Sequence, residues 1–583
     1  MVQERILTID SSVENLGSLQ FSDKLDDYLK DQGHNIANFD TIRLKTELAV
    51  KEYTNKKQLV AVLPFFLDVR LRPYLGGSEP VEQYTLPTGA IVQIFKDDVG
   101  YLYNIVIPET NTTYDKLLEI KKEVEVFEES GESDNELIKR WYLGFGILEH
   151  LFSDKKILEI NVNPPAHKTS MRIVHADYSE CHSNIYPSDD FLNYISTRLR
   201  LATGRPFNRA QPQLDGELEA NGVKARVAAI INPFSVFGTA YSIRKHREDP
   251  WTQVLFLKNK TVNSWFAGLM SFAIAHGRTF LTVGPRGSGK TSILGSLMLE
   301  ILPKYRVITI EDTQELPIFS YKDLGYDIVP LKVRSALLNE GMEMPFDTGL
   351  RTSLRLGDSC LIIGEIRGME AKVLYEAMRV GAMSNVVAGT IHGDSPFGVY
   401  DRVVNDLGVP KGSFKVTDLI IIVNQITDAS GESRVRRVIS VTEVLKDWED
   451  TPKFQDLLVY DPQKDELVPT DALLNGKSVV IQQVLERSQG YSSYNDVLQD
   501  IKVRAWAKQA QCSLAKDAQL EASYVSKANK LFVDLFQEYS PYKSQEGFAK
   551  FSQEYIEGLK QLYGYYDQEE PVSEQQTDEQ NTQ

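Results

Sequence analysis

Cysteine is nearly missing from this chain. The 583 residues hold three, Cys181, Cys360 and Cys512, far apart and odd in number. That excludes a disulfide framework and points to reduced thiols in a cytoplasmic protein. Long apolar runs are missing too. The longest, Leu59–Leu67, falls well short of the ~20 residues of a membrane-spanning helix and runs into Asp68 and Arg70. The opening MVQERILTIDSS has no apolar h-region, so a signal peptide is not expected. Any membrane association is therefore expected to pass through a partner or a surface patch. Positive charge is short as well: 64 Lys and Arg against 81 Asp and Glu give a net charge of −17. The phosphate-neutralising term of general nucleic-acid binding is absent overall, although a local basic groove is permitted.

What is present is ordinary globular material. Apolar residues make up 42% and aromatics 10%, enough for sizeable cores. The length suggests about four domains of ~150 residues. The informative stretch is Phe280–Ser292, FLTVGPRGSGKTS. An apolar run that reads as a buried strand leads into a loop with three glycines, and a helical pattern follows. Gly284, Gly289, Lys290 and Thr291 fit G-x-x-x-x-G-K-[ST]. In such a nest the glycines turn successive N–H groups inward around a phosphate, and the helix N-terminus adds positive potential. Gly284, Pro285, Arg286, Gly287, Ser288, Gly289, Lys290, Thr291 and Ser292 are thus the candidate nucleotide-binding residues. Lys290 would reach the β- and γ-phosphates, and the Thr291 hydroxyl would hold Mg²⁺.

Around this stretch the chain divides by pattern. Residues 1–48 are polar and mildly acidic with short helical patterns such as Phe21–Leu29, a lead or docking segment. Residues 49–136 carry strand-like runs at Leu59–Pro64, Ala90–Phe95 and Tyr101–Pro108, then a charged stretch, Lys116–Asp134, and read as a small α+β domain. Residues 137–250 read as a second α+β unit. A helix is expected over Leu137–Leu151, and strands at Ile157–Val162 and Ser170–Val174. An amphipathic helix, Phe191–Ala202, has Leu192, Ile195, Leu199 and Leu201 on its apolar side. Two further strands, Ala225–Ile230 and Ala240–Lys245, embed Arg226 and Arg244. An arginine inside a strand is costly unless it faces solvent or an anion. His175, Cys181 and His182 lie close together without zinc spacing and read as surface loop.

From 251 to 480 strands alternate with helices, at Thr279–Val283, Arg306–Ile310, Cys360–Ile366, Asn385–Ile391 and Leu419–Val423. This rhythm predicts a largely parallel sheet with helices on both faces and chemistry at the strands' carboxyl ends. Those ends offer Glu311 in Ile310–Leu316, Glu365 in Leu361–Gly368 and His392 in Gly389–Ser395. Arg351 and Arg355 would share one face of a helix. Beyond 480 the pattern is helical over Val484–Val503, over Tyr524–Leu535 and, after a Ser540-Pro541 break, over Phe548–Leu562. The segment 481–566 reads as a helical extension packed on the motor or on a partner. The Glu/Gln/Thr-rich tail 567–583 reads as disordered.

Four spaced motifs, GPRGSGKT at 284–291, IEDTQEL at 310–316, LIIGEIRG at 361–368 and GTIHGDS at 389–395, together resemble the secretion ATPase superfamily. These are the hexameric motors of type II secretion, type IV secretion and type IV pili. The likeness runs from about 140 to 450, and Val399–Pro410 and Tyr103–Pro108 look like its archaeal branch. It implies an α/β fold: a RecA-like P-loop core, preceded by α+β, PAS-like domains and followed here by the helical extension. It also implies a Mg²⁺-dependent, hexameric ATPase that powers assembly of a type IV pilus-like filament or related secretion. Its partners would be a polytopic membrane platform protein and, indirectly, pilin-like subunits, with no direct nucleic acid. It would sit in the cytoplasm against the inner face of the membrane. Carried over residue by residue, Glu311 would orient or deprotonate the attacking water. Glu365 would act on Mg²⁺, directly or through water, and share in positioning the nucleophile. His392 would sense the γ-phosphate. Arg226 and Arg244 would reach the nucleotide as charge-stabilising fingers. Arg351, Arg355 and Arg367 would organise the acidic box by ion pairing. Arg286 stands where the family usually has threonine, Gly393 where alanine is common, and the zinc module of many relatives is absent, so no zinc is expected. The motor of a rotating archaeal swimming filament, a DNA or protein translocase and a nucleotide-dependent scaffold that does not hydrolyse are the alternative readings.

Overall fold

A computed structural model describes residues 6–9, 59–62, 69–72, 74, 78–111, 123, 135, 136, 139–166, 168–220, 222–247, 249–311, 314–333, 346–353, 355, 356, 360–368, 370–379, 386–427, 431 and 434–565. The helical pattern Phe21–Leu29, the stretch Lys116–Asp134 apart from Glu123, and the tail 567–583 lie outside them. The chain divides into two compact units, Met1–Glu248 and Asp249–Gln583.

In the first unit β1 (Ile6–Ile9) pairs with β2 (Leu59–Val62), and β3 (Val69–Leu71) with β10 (Ile185–Pro187). Nine further strands make one sheet. They are β4 (Glu82–Thr85), β5 (Ile91–Asp97), β6 (Gly100–Val106), β7 (Ile157–Val162), β8 (Arg172–His175), β9 (Ser179–Ser183), β11 (Gln213–Ala220), β12 (Val223–Ile230) and β13 (Ala240–Lys245). Their order is β11-β12-β13-β7-β8-β9-β6-β5-β4. Of the strands of 49–136, β4, β5 and β6 thus share one sheet with strands of 137–250. β6 runs parallel to β9, with Tyr101 beside Cys181, and Tyr103 and Ile105 share one core with Ile160, Ile173, Val227 and Ile243. Alternation sets the faces: Val223, Ala225, Val227 and Ala229 point inward, and Arg226 belongs to the outward set.

Local chemistry explains where the helices of this unit begin and end. Asp189–Thr203 starts where the Ser188 hydroxyl accepts the Phe191 N–H and stops at Gly204, φ 64°. It buries Phe191, Leu192, Ile195 and Leu199, but Leu201, expected on the same side, is 70% exposed. Two residues on from Leu199 lie about 200° around a helix, on the opposite face. The helix expected over Leu137–Leu151 is broken into a π-helical turn, Lys139–Leu143, and a helix, Ile147–Ser153. Between them Gly146 has φ 60° and lies so close to the Trp141 ring that a Cβ would be 2.8 Å from it. His175, Cys181 and His182 are not on a surface loop. They sit on β8 and β9, with His175 and Cys181 buried and His182 Nε2 2.9 Å from Asp97 Oδ2.

In the second unit β14 (Phe280–Val283), β15 (Val307–Glu311), β16 (Ile328–Lys332), β17 (Cys360–Ile366), β18 (Val387–Ile391) and β19 (Leu419–Thr427) run parallel. The sheet continues antiparallel through β20 (Arg434–Val444), β21 (Phe454–Asp461) and β22 (Glu466–Pro469), an extension the sequence rhythm does not reveal. The order β16-β15-β17-β18-β14-β19-β20-β21-β22 puts the strand that feeds the P-loop in the middle. Continuous apolar runs bury both faces. On one face Cys360, Ile362, Leu419 and Ile421 pack with Ile293, Leu294 and Leu297 of the P-loop helix; on the other Leu361, Ile363, Ile420 and Ile422 pack with Leu374, Tyr375 and Tyr400.

The C-terminal extension belongs to the first of these faces. Val480, Ile481, Val484, Val497 and Ile501 join the core of the P-loop helix. The helix expected over Val484–Val503 is two, Val479–Arg487 and Tyr494–Leu514, because Ser493 and Asp496 form a capping box that starts the second. Helices Ala522–Tyr539 and Gln545–Leu562 follow on either side of the Ser540-Pro541 break and gather Phe532, Phe551, Tyr555 and Leu559 into a second core with Val503 and Ala507 of the helix before them.

Candidate nucleotide site

The P-loop rises from β14, whose four side chains are all buried. At Gly284 a Cβ would lie 2.2 Å from the Val423 carbonyl oxygen of β19, so only glycine fits there. Gly287 and Gly289 hold φ 77° and 96°, the left-handed region that lets the loop curl before the helix Lys290–Met298 begins. Lys290 is 8% exposed, and its Nζ donates to the Pro285 carbonyl at 3.0 Å and stands 3.5 Å from His392 Nδ1. Burial pulls its ammonium below the usual lysine range, though nearby Glu365 opposes the shift. The Ser288 hydroxyl is buried without a hydrogen-bond partner. Pro285 and Arg286 are exposed, and Thr291 and Ser292 are half-buried in the first helical turn. An enclosed cation, an unsatisfied hydroxyl and two left-handed glycines at a helix N-terminus fit a polyphosphate, with Thr291 placed for its hydrated cation.

Glu365 stands on β17 and His392 just past the end of β18, the strand beside β14. The β17–β18 ladder shifts register between Ile363 and Ile366, a bulge that re-aims Glu365. Its Oε2 accepts from Arg367 Nη2 at 2.5 Å, and its Oε1 lies 3.0 Å from His392 Nε2. Burial pushes the Glu365 carboxyl up, but the Arg367 hydrogen bond and the charges of Arg367, His392 and Lys290 together hold it below the usual range. Burial and the Lys290 charge hold His392 below its ordinary value, so the ring is neutral at pH 7. Lys290, His392, Glu365 and Arg367 therefore form one connected row across β14, β18 and β17, three neighbouring strands.

Glu311 ends β15 and is 2% exposed. Its Oε1 accepts the N–H groups of Glu315 and Leu316 at 3.1 and 3.2 Å, which fixes the turn after the strand. It packs against Gly364, where a Cβ would come within 2.7 Å of Glu311 Cγ. Arg367 is ion-paired to Glu365. Arg351 lies on the helix Phe346–Ser353 and Arg355 past its end, so one helix does not present both; each is exposed. In the first unit Arg226 and Arg244 are cross-strand partners on the outward face of the sheet. Arg244 Nε donates to Glu159 Oε2 at 2.9 Å, and Ser242 Oγ donates to the other oxygen; the nearest ion pair of Arg226, with Asp215, is 4.0 Å long.

Two contributors were not visible in the motifs. Gln425 Nε2 and Arg436 Nε both donate to the Gly287 carbonyl, at 3.1 and 3.0 Å. No local pattern marks them, because they reach the loop from strands more than a hundred residues downstream.

Comparison with known proteins places this geometry. A family model described as type II/IV secretion system protein matches residues 159–452. An uncharacterized protein of Methanocaldococcus jannaschii is 25% identical over 63% of this chain and 64% of its own length, so the chain spans somewhat less than two thirds of that relative. A putative conjugal transfer protein of Mycobacterium tuberculosis is 27% identical over 43% of this chain and 70% of its own. The type IV secretion system protein PtlH of Bordetella pertussis is 26% identical over 33% of this chain and 55% of its own.

Proposed function

The chain belongs to the type II/IV secretion system protein family, and from that premise we propose that it is a hexameric, Mg²⁺-dependent ATPase. Its work is assembly of a type IV pilus-like filament, or related secretion, across the cytoplasmic membrane. The observation that carries the reading is the row Lys290–His392–Glu365–Arg367 across the carboxyl ends of three neighbouring parallel strands, beside a P-loop of matching geometry.

In this reading the loop amides of 284–289 and Lys290 hold the phosphates, and Thr291 and Glu365 hold Mg²⁺, Glu365 directly or through water. The metal, when bound, neutralises charge that develops on the phosphate oxygens. A carboxylate held below its usual range, as Glu365 is, stays anionic and suits a cation better than it suits a proton. Glu311, at the end of the neighbouring strand β15, orients or deprotonates the attacking water. A neutral His392 between Lys290 and Glu365 can report the γ-phosphate to both. Arg226 and Arg244 are the candidate charge-stabilising fingers, and Arg244 donates to Glu159. Among the described residues no helix is long and apolar enough to cross a membrane. Contact with the inner face of the cytoplasmic membrane accordingly runs through a polytopic platform protein, and pilin-like subunits are moved indirectly. The net charge of −17 supports no direct nucleic-acid role.

The test has two arms. Phosphate release by the purified chain should require Mg²⁺, and Lys290→Ala and Glu365→Gln should each cost at least ~10²-fold in rate, the scale of removing one fixed electrostatic partner. Cells whose only copy carries Lys290→Ala should lose one surface filament or secreted product by electron microscopy and secretome analysis. ATP binding without Mg²⁺-dependent phosphate release would replace the motor by a scaffold, and an unchanged surface and secretome would remove the assembly role.

A further inference from the structure

The Gly287 carbonyl receives two side-chain donors that the motif does not contain, Gln425 Nε2 at 3.1 Å and Arg436 Nε at 3.0 Å. The topology explains the convergence. β19 runs parallel to β14 only as far as the pair Val283–Ile422, where β14 turns off into the loop. β19 and its antiparallel neighbour β20 continue past that point, and Gln425 and Arg436 are directly opposed on their ladder. The Val423 carbonyl sits against Gly284, and Arg436 Cδ lies 3.5 Å from where a Cβ on Gly289 would be. The overhanging end of the β19–β20 hairpin therefore lines the outside of the P-loop from Gly284 to Gly289.

We propose that Gln425 and Arg436 are positioning residues for this site: a cross-strand clamp that fixes the Gly287 peptide and with it the phosphate-facing amides of the loop. The inference rests on the nucleotide-site reading above and deepens it. Left-handed glycines make the loop easy to curl and equally easy to flatten, since glycine has the most conformational freedom to lose. Gripping one carbonyl from outside with two donors removes that freedom in advance. Held in this way, the Ser288 N–H on the same peptide plane turns toward the inside of the loop, where it donates to the Pro285 carbonyl at 3.3 Å. The clamp acts through the loop and touches no reacting atom, so it should favour ground state and transition state alike, raising affinity and leaving turnover nearly unchanged.

Two substitutions of matched length separate this role from a charge effect. Arg436→Gln places an amide nitrogen where arginine has Nε, keeping the donor and losing the charge. Arg436→Met keeps the length and loses both. The dissociation constant of a fluorescent, non-hydrolysable ATP analogue, measured with Mg²⁺, should rise about tenfold in Arg436→Met and stay within about threefold in Arg436→Gln, with kcat for phosphate release from ATP close to that of the parent in both. Hydrogen exchange of the amides in 284–291, measured without nucleotide, should speed up in Arg436→Met and not in Arg436→Gln. Adding Gln425→Ala to Arg436→Met should give a change unequal to the sum of the single effects, because the two donors share one acceptor. Equal losses in the glutamine and methionine variants would show that the charge is what matters and overturn the clamp; so would unchanged affinity and exchange in Arg436→Met. Binding and exchange are read without hydrolysis, so a parent protein that fails to release phosphate would refute the ATPase reading while leaving the clamp decided by these two measurements.

Discussion

The contact between Gly364 and Glu311 can be turned into a test of what Glu311 does. A Cβ built at Gly364 lies 2.7 Å from Glu311 Cγ, 3.2 Å from its Oε1 and 3.4 Å from its Cβ. Carbon atoms pack best at about 3.5–4.0 Å, so Gly364→Ala requires a shift of close to an ångström. Glu311 has little room to yield, being 2% exposed with Oε1 tied to the Glu315 and Leu316 N–H groups. Overpacking of this kind costs about 1–3 kcal/mol. At roughly 2–4 °C per kcal/mol, the melting temperature should fall by about 2–12 °C. If Glu311 handles the attacking water, kcat should fall by ~10² or more, the usual share of a general base. Nucleotide affinity should hold within about threefold, because the P-loop is held by other contacts. Melting, phosphate release and binding of a fluorescent ATP analogue measure the three quantities on one preparation. A lower melting temperature with unchanged kcat would reduce Glu311 to an anchor of the turn after β15, and no change in either would refute the packing argument itself.

Two further outcomes follow from buried charge elsewhere in the second unit. Lys508 of the C-terminal extension donates to Glu300 at the end of the P-loop helix at 2.5 Å, both side chains 5% exposed, and also to Asn529. Lys508→Met should cost about 3–5 kcal/mol in chemical denaturation by stranding the Glu300 charge, and adding Glu300→Leu should recover most of it; additive losses would refute this. His276, hydrogen-bonded to Tyr491 and near Ser488, is held down to about 4, first by burial and then by the Arg504 charge. The unfolded ring takes up a proton first as pH falls, so stability should be full above the ordinary histidine value and decline between pH 6.5 and 4, by about 3 kcal/mol at most. His276→Gln should flatten that decline, and superimposable melting profiles against pH would contradict it.

How much of this molecule could be read in advance depends on how local each signal is. The P-loop, the buried run Cys360–Ile366 and the strand-end positions of Glu311, Glu365 and His392 need only neighbours in sequence, and the motifs display them. The pairing of Arg367 with Glu365, two residues away, is equally local, since both lie in the motif at 361–368. What escaped was set by register. The junction of β6 with β9 spans some eighty residues and merges what the pattern separates. Leu201 looked apolar-facing only because a leucine close to a periodic stripe is easily counted into it.

The clearest case is the clamp. In β20 the run Arg434-Val435-Arg436-Arg437 offers three arginines to the strand's two faces, and successive side chains point to opposite ones. From Leu419 to Ile422 the ladder pairs β19 with β20 in one register, with Ile422 opposite Ser440; after a shift it places Val423 opposite Val438 and Gln425 opposite Arg436. Without that shift Gln425 would face Arg437. A slip of one residue exchanges the faces of everything beyond it, so the irregularity at Ile422–Val423 decides which arginine reaches Gly287. It leaves Arg437 on the buried side, paired through Nε and Nη2 with Asp465. Nothing in the letters distinguishes Arg436 from Arg437. The bulge that sorts them is a property of two strands together, which is why the P-loop could be read from one stretch of sequence and its outer support could not.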